Sequence, residues 1–145
     1  MSTSAPVEIE EFAHAYDRAW KAMDVDAIVA RHAEDGTYRL HVAGSPELRG
    51  RGALRAAFAT SIANWSELDF TFDRALYGES FYVWQATLHG MLARPLELGA
   101  VTIPANGSQL ALPGLDVIIL NDEGLIASKE THFDLIAAAN QAARA

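Results

Sequence analysis

The chain has 145 residues, of which half are hydrophobic and about a fifth are charged, and its net charge is −8 at pH 7. This length suits one domain, residues 1–145, and the acidic balance disfavours nucleic acid and anionic membranes as partners. The absence of cysteine excludes disulfides, thiol catalysis and cysteine-based metal sites. No apolar run approaches the length of a membrane span, and no signal peptide is visible, so we expect a cytoplasmic protein.

The first half of the chain has the pattern of three helices and one strand. Apolar residues at three- and four-residue spacing predict an amphipathic helix over 6–23. The segment "DVDAIVARHAEDG" predicts a second helix that begins at Asp24 and ends at Gly36. "GTYRLHVAG", residues 36–44, predicts a short strand, and "GRGALRAAFATSIANW" predicts a third helix.

After Trp65 the pattern changes to strands. "ELDFTFDRALY", "SFYVWQATLHGML" and "QLALPGLDVIIL" predict three strands, and the turn "NDEG" joins the last of these to a returning strand in "LIASKETHFDL". A short alanine-rich tail closes the chain. Helices followed by an antiparallel meander predict an α+β domain, in which a curved antiparallel sheet and three N-terminal helices form a cone that encloses a pocket.

Asp116 and Tyr16 are the polar residues that fit an ordinary core least well. Asp116 lies in "LALPGLDVIIL", where nearly every neighbour is apolar, and a buried carboxylate should be paired or carry a proton. Tyr16 lies on the apolar stripe of the first helix, where its hydroxyl needs a partner. Perturbed acids cluster at functional sites, so we interpret Asp116 as functional, against the alternative of a cap or a solvent-facing sheet edge.

The histidines do not indicate a metal site. They lack helical ligand spacing, and no cluster of His, Asp and Glu recurs, so we expect neither a metal nor another cofactor. His14 and His32 are predicted to be surface residues of helices. His41, between Leu40 and Val42 in the first strand, and His132, in "ETHFD", are left as candidates for proton transfer.

Two long segments resemble a known family. "AYDRAWKAMDVDAIVARHAEDGTYRLHVAGSPELRGRGALRAAF" is similar to the first half of ketosteroid isomerases and polyketide-cyclase-like proteins, and "IPANGSQLALPGLDVIILNDEGLIASKETHFD" to the closing hairpin of the cyclase-like group. Residues 8–138 thus resemble the nuclear-transport-factor-2-like superfamily, including its SnoaL-like domains. The resemblance implies the cone fold and a homodimer. It matches Tyr16 to the tyrosine that donates to the dienolate oxygen, and Asp116 to the neutral acid of that oxyanion hole.

The bases of the family fall on other residue types in this chain. The catalytic aspartate of the isomerases aligns with Leu40, and the acid that cyclases and limonene-epoxide hydrolases carry on the last strand aligns with Thr131. The arginine and aspartate of the hydrolases fall near Trp84 and Ala86. We therefore predict that His41, next to the usual base position, faces the cavity and moves the proton, with His132 as the second candidate.

These residues predict a cofactor-independent isomerase or lyase that acts on a hydrophobic, aromatic or polycyclic hydroxy or carbonyl compound. Double-bond migration, dehydration and retro-aldol cleavage all suit such a site. The predicted pocket walls are Tyr38, Phe58, Phe70, Trp84, Thr131 and Phe133. The alternatives are a non-catalytic module that binds a small molecule, an epoxide hydrolase or polyketide cyclase with altered catalytic residues, and an assembly domain that dimerises through its exposed sheet face.

Overall fold

A computed structural model describes residues 6–144 of the chain. That part contains four helices and eight strands, and it confirms the predicted α+β class. In chain order the elements are α1 (Pro6–Lys21), α2 (Val25–Val29), β1 (His32–Leu40), β2 (Leu48–Arg49), α3 (Arg51–Ala63), β3 (Trp65–Tyr77), β4 (Phe81–Leu92), β5 (Leu96–Leu98), β6 (Val101–Ile103), β7 (Leu110–Leu120), β8 (Ile126–Phe133) and α4 (Leu135–Ala143).

Six strands form one curved sheet in the order β2-β1-β8-β7-β4-β3, and β5 and β6 form a separate two-stranded ribbon. The long strands β3, β4, β7 and β8 make the predicted antiparallel meander. β1, however, pairs parallel with β8, so the sheet is mixed and not wholly antiparallel. This pairing brings the first strand of the chain beside the last one.

The second predicted helix is correct only in its first half. Asp24 caps α2 by accepting a hydrogen bond from the Ala27 backbone N–H at 3.1 Å. The helix ends at Val29, and the residues from His32 onward belong to β1. Pairing with β8 outweighs the helix propensity of this charged segment. Gly36 permits the pairing, because a Cβ atom at this position would lie 2.9 Å from the carbonyl oxygen of Ile126.

The alanine-rich segment that was predicted as a tail is helix α4, from residue 135 onward. The Asp134 side chain caps it by accepting from the Ala137 N–H at 3.0 Å. The Gln141 side chain pairs with the backbone of Ala111 on β7, through contacts of 2.7 and 2.9 Å. Ala138 is fully buried. The helix therefore belongs to the packed domain.

The helices cover one face of the sheet, which we call the inner face. On β4 the even-numbered residues from Tyr82 to Leu88 are buried against the helices, while the odd-numbered residues between them are less buried. This alternation is the period of two that a strand with one buried face shows. Functional groups on the inner face are therefore held inside the domain.

No helix within residues 6–144 is long and apolar enough to cross a membrane.

Candidate active site

A cavity of about 150 Å³ lies between the inner face of the sheet and helices α1 and α3. Its walls are mostly apolar, and they include five of the six predicted wall residues. These are Tyr38, Phe70, Trp84, Thr131 and Phe133. The structure thus has a pocket on the predicted face, and these five residues line it.

Phe58 is the predicted wall residue that does not line this cavity. Its side chain is fully buried in the core, where its ring lies 4.9 Å from that of Tyr38 and 5.2 Å from that of Trp20. Tyr38 and Trp20 themselves line the cavity, so Phe58 lies behind them. It supports the wall without forming its surface.

At the buried end of the cavity lies a charged residue that the sequence analysis missed. Lys129 on β8 is only 4% exposed. Aromatic rings surround its ammonium group, at 4.6 to 6.0 Å from the ring centroids. They belong to Trp20, Tyr16, Phe58 and Tyr38. Such ring faces attract a desolvated cation, and they hold the ammonium in a fixed place.

The Lys129 ammonium lies 3.7 Å from Asp116 Oδ2, and the Thr131 hydroxyl donates to Asp116 Oδ1 at 2.5 Å. Burial alone would lower the pKa of Lys129, but the Asp116 carboxylate, with Tyr16 and Tyr38, raises it well above its ordinary value. The expectation that Asp116 is paired therefore fits the structure. The pairing with a cation favours a carboxylate at this position, in place of the neutral acid that the resemblance implied.

Tyr16 shares this cluster. Its oxygen lies 2.8 Å from His32 Nε2 and receives a hydrogen bond from Lys129 Nζ at 3.1 Å. The residue is 4% exposed. Burial raises the pKa of Tyr16, and the Lys129 ammonium opposes this shift. The phenol is therefore protonated at neutral pH. Tyr16 and Asp116 each contact the same ammonium group, so both lie at one end of the cavity.

His32 lies in the core and not on the surface, where it had been predicted. The residue is fully buried at the start of β1, and its carbonyl oxygen receives two hydrogen bonds from Arg51, at 2.7 and 2.9 Å. Burial, together with the charges of Lys129 and Arg51, lowers the pKa of His32 to about 3. The imidazole is therefore neutral. The prediction failed because it placed this residue on a polar helix face.

His41 and His132 lie on the opposite, outer face of the sheet. His41 Nε2 contacts Glu130 Oε1 at 2.6 Å, and the two imidazole rings stack at 4.1 Å. The neighbours of His41 in sequence, Leu40 and Val42, are the residues that line the cavity. The predicted orientation of His41 towards the cavity is therefore wrong, because strand alternation turns its side chain the other way. Neither histidine can reach a ligand inside the cavity.

The missed lysine had a signal in the sequence. Thr131 and Phe133 were predicted to line the pocket, and residue 129 has the same parity on the same strand. A strict period of two assigns Lys129 to the inner face and His132 to the outer face. His32 had no comparable signal, because its segment was predicted as a helix.

Among residues 6–144 there is no group of three or more His, Asp and Glu side chains that could hold a metal ion.

Comparison of the sequence with protein-family models gives a match over residues 12–129 to the SnoaL-like domain. The chain belongs to the SnoaL-like domain family. The matched range contains Tyr16, Asp116 and Lys129, and it covers most of the chain. This confirms the predicted family. A search of curated proteins found no match.

Solved structures show the same fold. TsrD from Streptomyces laurentii is 22% identical with a TM-score of 0.73, over 92% of this chain and 93% of that protein. SalBIII, described as an epoxide hydrolase/cyclase-like enzyme in pyran ring formation, is 21% identical with a TM-score of 0.70, over 88% and 92%. A protein with a ketosteroid isomerase-like fold from Catenulispora acidiphila is 20% identical with a TM-score of 0.73, over 92% of each chain. At these identities the similarity concerns the fold.

Proposed function

We propose that this SnoaL-like domain is a cofactor-independent enzyme that moves a proton at a carbon atom next to a carbonyl group. The substrate is a hydrophobic small molecule, aromatic or polycyclic, and the reaction is of the isomerase or lyase type. One observation carries this proposal. The Asp116 carboxylate and the Tyr16 hydroxyl lie together at the buried end of an apolar cavity, on either side of the Lys129 ammonium.

Asp116 is the base in this proposal. Its side chain is 23% exposed towards the cavity, while that of Lys129 is 5% exposed. The carboxylate is thus accessible to a ligand, and the ammonium behind it stabilises its charged form. Thr131 fixes the orientation of the carboxylate through its hydroxyl group. Because a carboxylate of this kind accepts a proton from carbon only when it is close and oriented, Lys129 and Thr131 act as positioning residues.

Tyr16 is the donor to the substrate oxygen. When Asp116 removes a proton from the carbon next to a carbonyl group, the electron pair of the C–H bond forms a double bond to the carbonyl carbon. The π pair of the carbonyl group then moves onto its oxygen, which gains negative charge. A hydroxyl fixed in a water-poor cavity stabilises this charge more than water does. The Lys129 ammonium, in contact with the phenol oxygen, strengthens the donor. The proton then returns from Asp116 to the same or a neighbouring carbon.

Apolar walls supply most of the affinity in this account, since burial of apolar area contributes about 25 cal/mol per Å². Trp84, Phe70 and Phe133 offer ring surfaces to such a ligand. The description of SalBIII as an epoxide hydrolase/cyclase-like enzyme supports a small-molecule reaction in this fold.

The test uses α-tetralone, a bicyclic aromatic ketone with an acidic C–H bond next to its carbonyl group. Incubation of the wild-type protein with this ketone in D₂O should incorporate deuterium at that carbon, measured by mass spectrometry. Asp116→Asn removes the base, and we expect the exchange rate to fall by about a hundredfold or more. Glu130→Gln, a carboxylate change on the outer face of the neighbouring strand β8, should leave the rate unchanged.

Two results would overturn the proposal. If α-tetralone binds and no exchange occurs above the rate in buffer, the domain is a binding module for this class of compound. If exchange occurs equally in the wild type and in Asp116→Asn, another group is the base. Equilibrium dissociation constants and thermal unfolding, measured on each variant, separate loss of chemistry from loss of binding or folding.

A further inference from the structure

The hydrogen bonds at the Tyr16 oxygen decide whether its proton can serve a ligand. This oxygen contacts Lys129 Nζ and His32 Nε2, at 3.1 and 2.8 Å. A lysine ammonium only donates, whereas a neutral imidazole nitrogen either donates or accepts. If His32 Nε2 accepts, the Tyr16 proton is used within the protein. If Nε2 carries the hydrogen and donates, the Tyr16 proton is free to point into the cavity.

The environment of the other ring nitrogen distinguishes these two arrangements. His32 Nδ1 is buried and has no hydrogen-bond partner among the described residues. It is the ring nitrogen next to the backbone, and Arg51 donates to the carbonyl oxygen of this same residue. An N–H at Nδ1 would be a buried donor without an acceptor, at a cost on the order of 1–3 kcal/mol. The His32 ring also feels the positive charges of Lys129 and Arg51. A lone pair at Nδ1 suits the positive surroundings better.

The remaining nearby donor does not change this assignment. The Trp20 indole N–H lies near enough to the Tyr16 hydroxyl to lower its pKa, but it has no partner in hydrogen-bond geometry among residues 6–144, so it does not fill the second lone pair of the Tyr16 oxygen. That lone pair is available for His32 Nε2. The Tyr16 oxygen then accepts from His32 and from Lys129, and its own O–H bond is left without a protein acceptor.

We propose that His32 is a positioning residue that holds its proton on Nε2, donates it to the Tyr16 oxygen and thereby directs the Tyr16 hydroxyl into the cavity. This inference rests on the proposed function for the identity of the ligand oxygen that the hydroxyl serves. Two N–H donors on one phenol oxygen also stabilise negative charge on it, which makes the hydroxyl a stronger hydrogen-bond donor. The site would therefore select ligands that present an acceptor oxygen.

The position of the proton is measured directly by NMR. Protein labelled with ¹⁵N in the histidine rings is recorded at neutral pH in a multiple-bond ¹H–¹⁵N correlation experiment, and the His32 signals are assigned by their loss in His32→Gln. We expect a neutral ring with hydrogen on Nε2 and a bare Nδ1. A ring with hydrogen on Nδ1, or on both nitrogens, would overturn the inference. This readout needs no substrate, so it is independent of whether the protein catalyses the proposed reaction.

A pair of variants gives a second readout through the carbonyl stretching band of bound α-tetralone. His32→Leu removes the imidazole, and His32→Gln keeps an N–H donor at a similar reach. If His32 donates, the hydrogen bond to the ketone weakens in His32→Leu and is largely kept in His32→Gln, so the band moves towards its unbound frequency only in the former. If His32 accepts, its removal frees the Tyr16 proton, and the band moves the opposite way. That result would contradict the proposal.

Discussion

Strand β8 contributes to one close side-chain pair on each of its faces, a lysine with a carboxylate on the inner face and a histidine with a carboxylate on the outer face. The two pairs differ in what surrounds them. Lys129 and Asp116 on the inner face lie 3.7 Å apart, with side chains 5% and 23% exposed. His41 and Glu130 on the outer face lie 2.6 Å apart, with side chains 28% and 45% exposed. The outer contact is the shorter, yet water screens it, whereas the inner pair lies among aromatic rings. Burial, and not distance, therefore decides which pair matters for stability and chemistry.

The largest effect should follow from removing the inner cation. Lys129→Met leaves the Asp116 carboxylate in an apolar cavity without its partner, and such a change costs about 3–5 kcal/mol when a pair is buried. Because Asp116 is partly exposed, we expect about 3 kcal/mol in the free energy of unfolding, measured by urea denaturation. Glu130→Gln, which breaks the outer pair, should cost less than about 1 kcal/mol.

A double variant shows whether the unpaired charge is the cause. Lys129→Met combined with Asp116→Leu replaces both charges by apolar groups, and it should be more stable than Lys129→Met alone, because no carboxylate is left unpaired. If Lys129→Met and Glu130→Gln lowered the free energy of unfolding equally, burial on the inner face of β8 would not make its pair more important for stability.

A smaller effect should appear on acidification, through His32. Its pKa is about 3 in the folded protein and about 6.5 in an unfolded chain. Between these values the unfolded chain binds a proton that the folded protein does not, so stability falls as the pH decreases from 6.5 towards 3. At pH 5 this amounts to about 2 kcal/mol, at 1.36 kcal/mol per pKa unit.

His32→Gln cannot take up this proton, and it is therefore the matched comparison. Urea denaturation at pH 7 and pH 5 should show the wild type losing about 2 kcal/mol more than His32→Gln over this interval. His41→Gln, which removes the exposed outer histidine, should keep the acid dependence of the wild type. The same acid loss in wild type and His32→Gln would mean that His32 is not the buried neutral group described.

Alternation and apolar runs predict the strands of the meander and the aromatic wall residues Tyr38 and Trp84, because such patterns report directly on a half-buried sheet. The position of Thr131 in the site came from the family resemblance. The sequence pattern also singled out Asp116, since a carboxylate in an apolar strand needs a partner. The partners of Asp116 are Lys129 and Thr131, and both lie on β8. They meet Asp116 because β7 pairs with β8 in the register that places Asp116 opposite Thr131. A contact of this kind is set by the strand register, which the sequence states only indirectly.

The second helix shows where local pattern fails. Its charged second half has no strand signal of its own, and it becomes part of β1 through a parallel pairing with a strand almost a hundred residues away, His32 with Ile126. Tertiary pairing of this range overrides local propensity.

The homodimer that the resemblance implied stays a prediction. Several large apolar side chains are exposed on the domain, among them Leu76, Phe81 and Ile119. Polar substitutions at these positions, with the molar mass measured by light scattering, would test whether the protein is a dimer.

The central claim is that, on the inner face of the sheet, a ligand carbonyl oxygen meets Tyr16 and the carbon next to that carbonyl group meets Asp116. The most direct measurement is a crystal structure of the protein with α-tetralone bound. We predict the carbonyl oxygen within about 3.2 Å of the Tyr16 oxygen, as a hydrogen bond requires, and the adjacent carbon next to an Asp116 carboxylate oxygen. A ketone that binds with its carbonyl group at the cavity mouth, or on the outer face beside His41 and His132, would contradict the account.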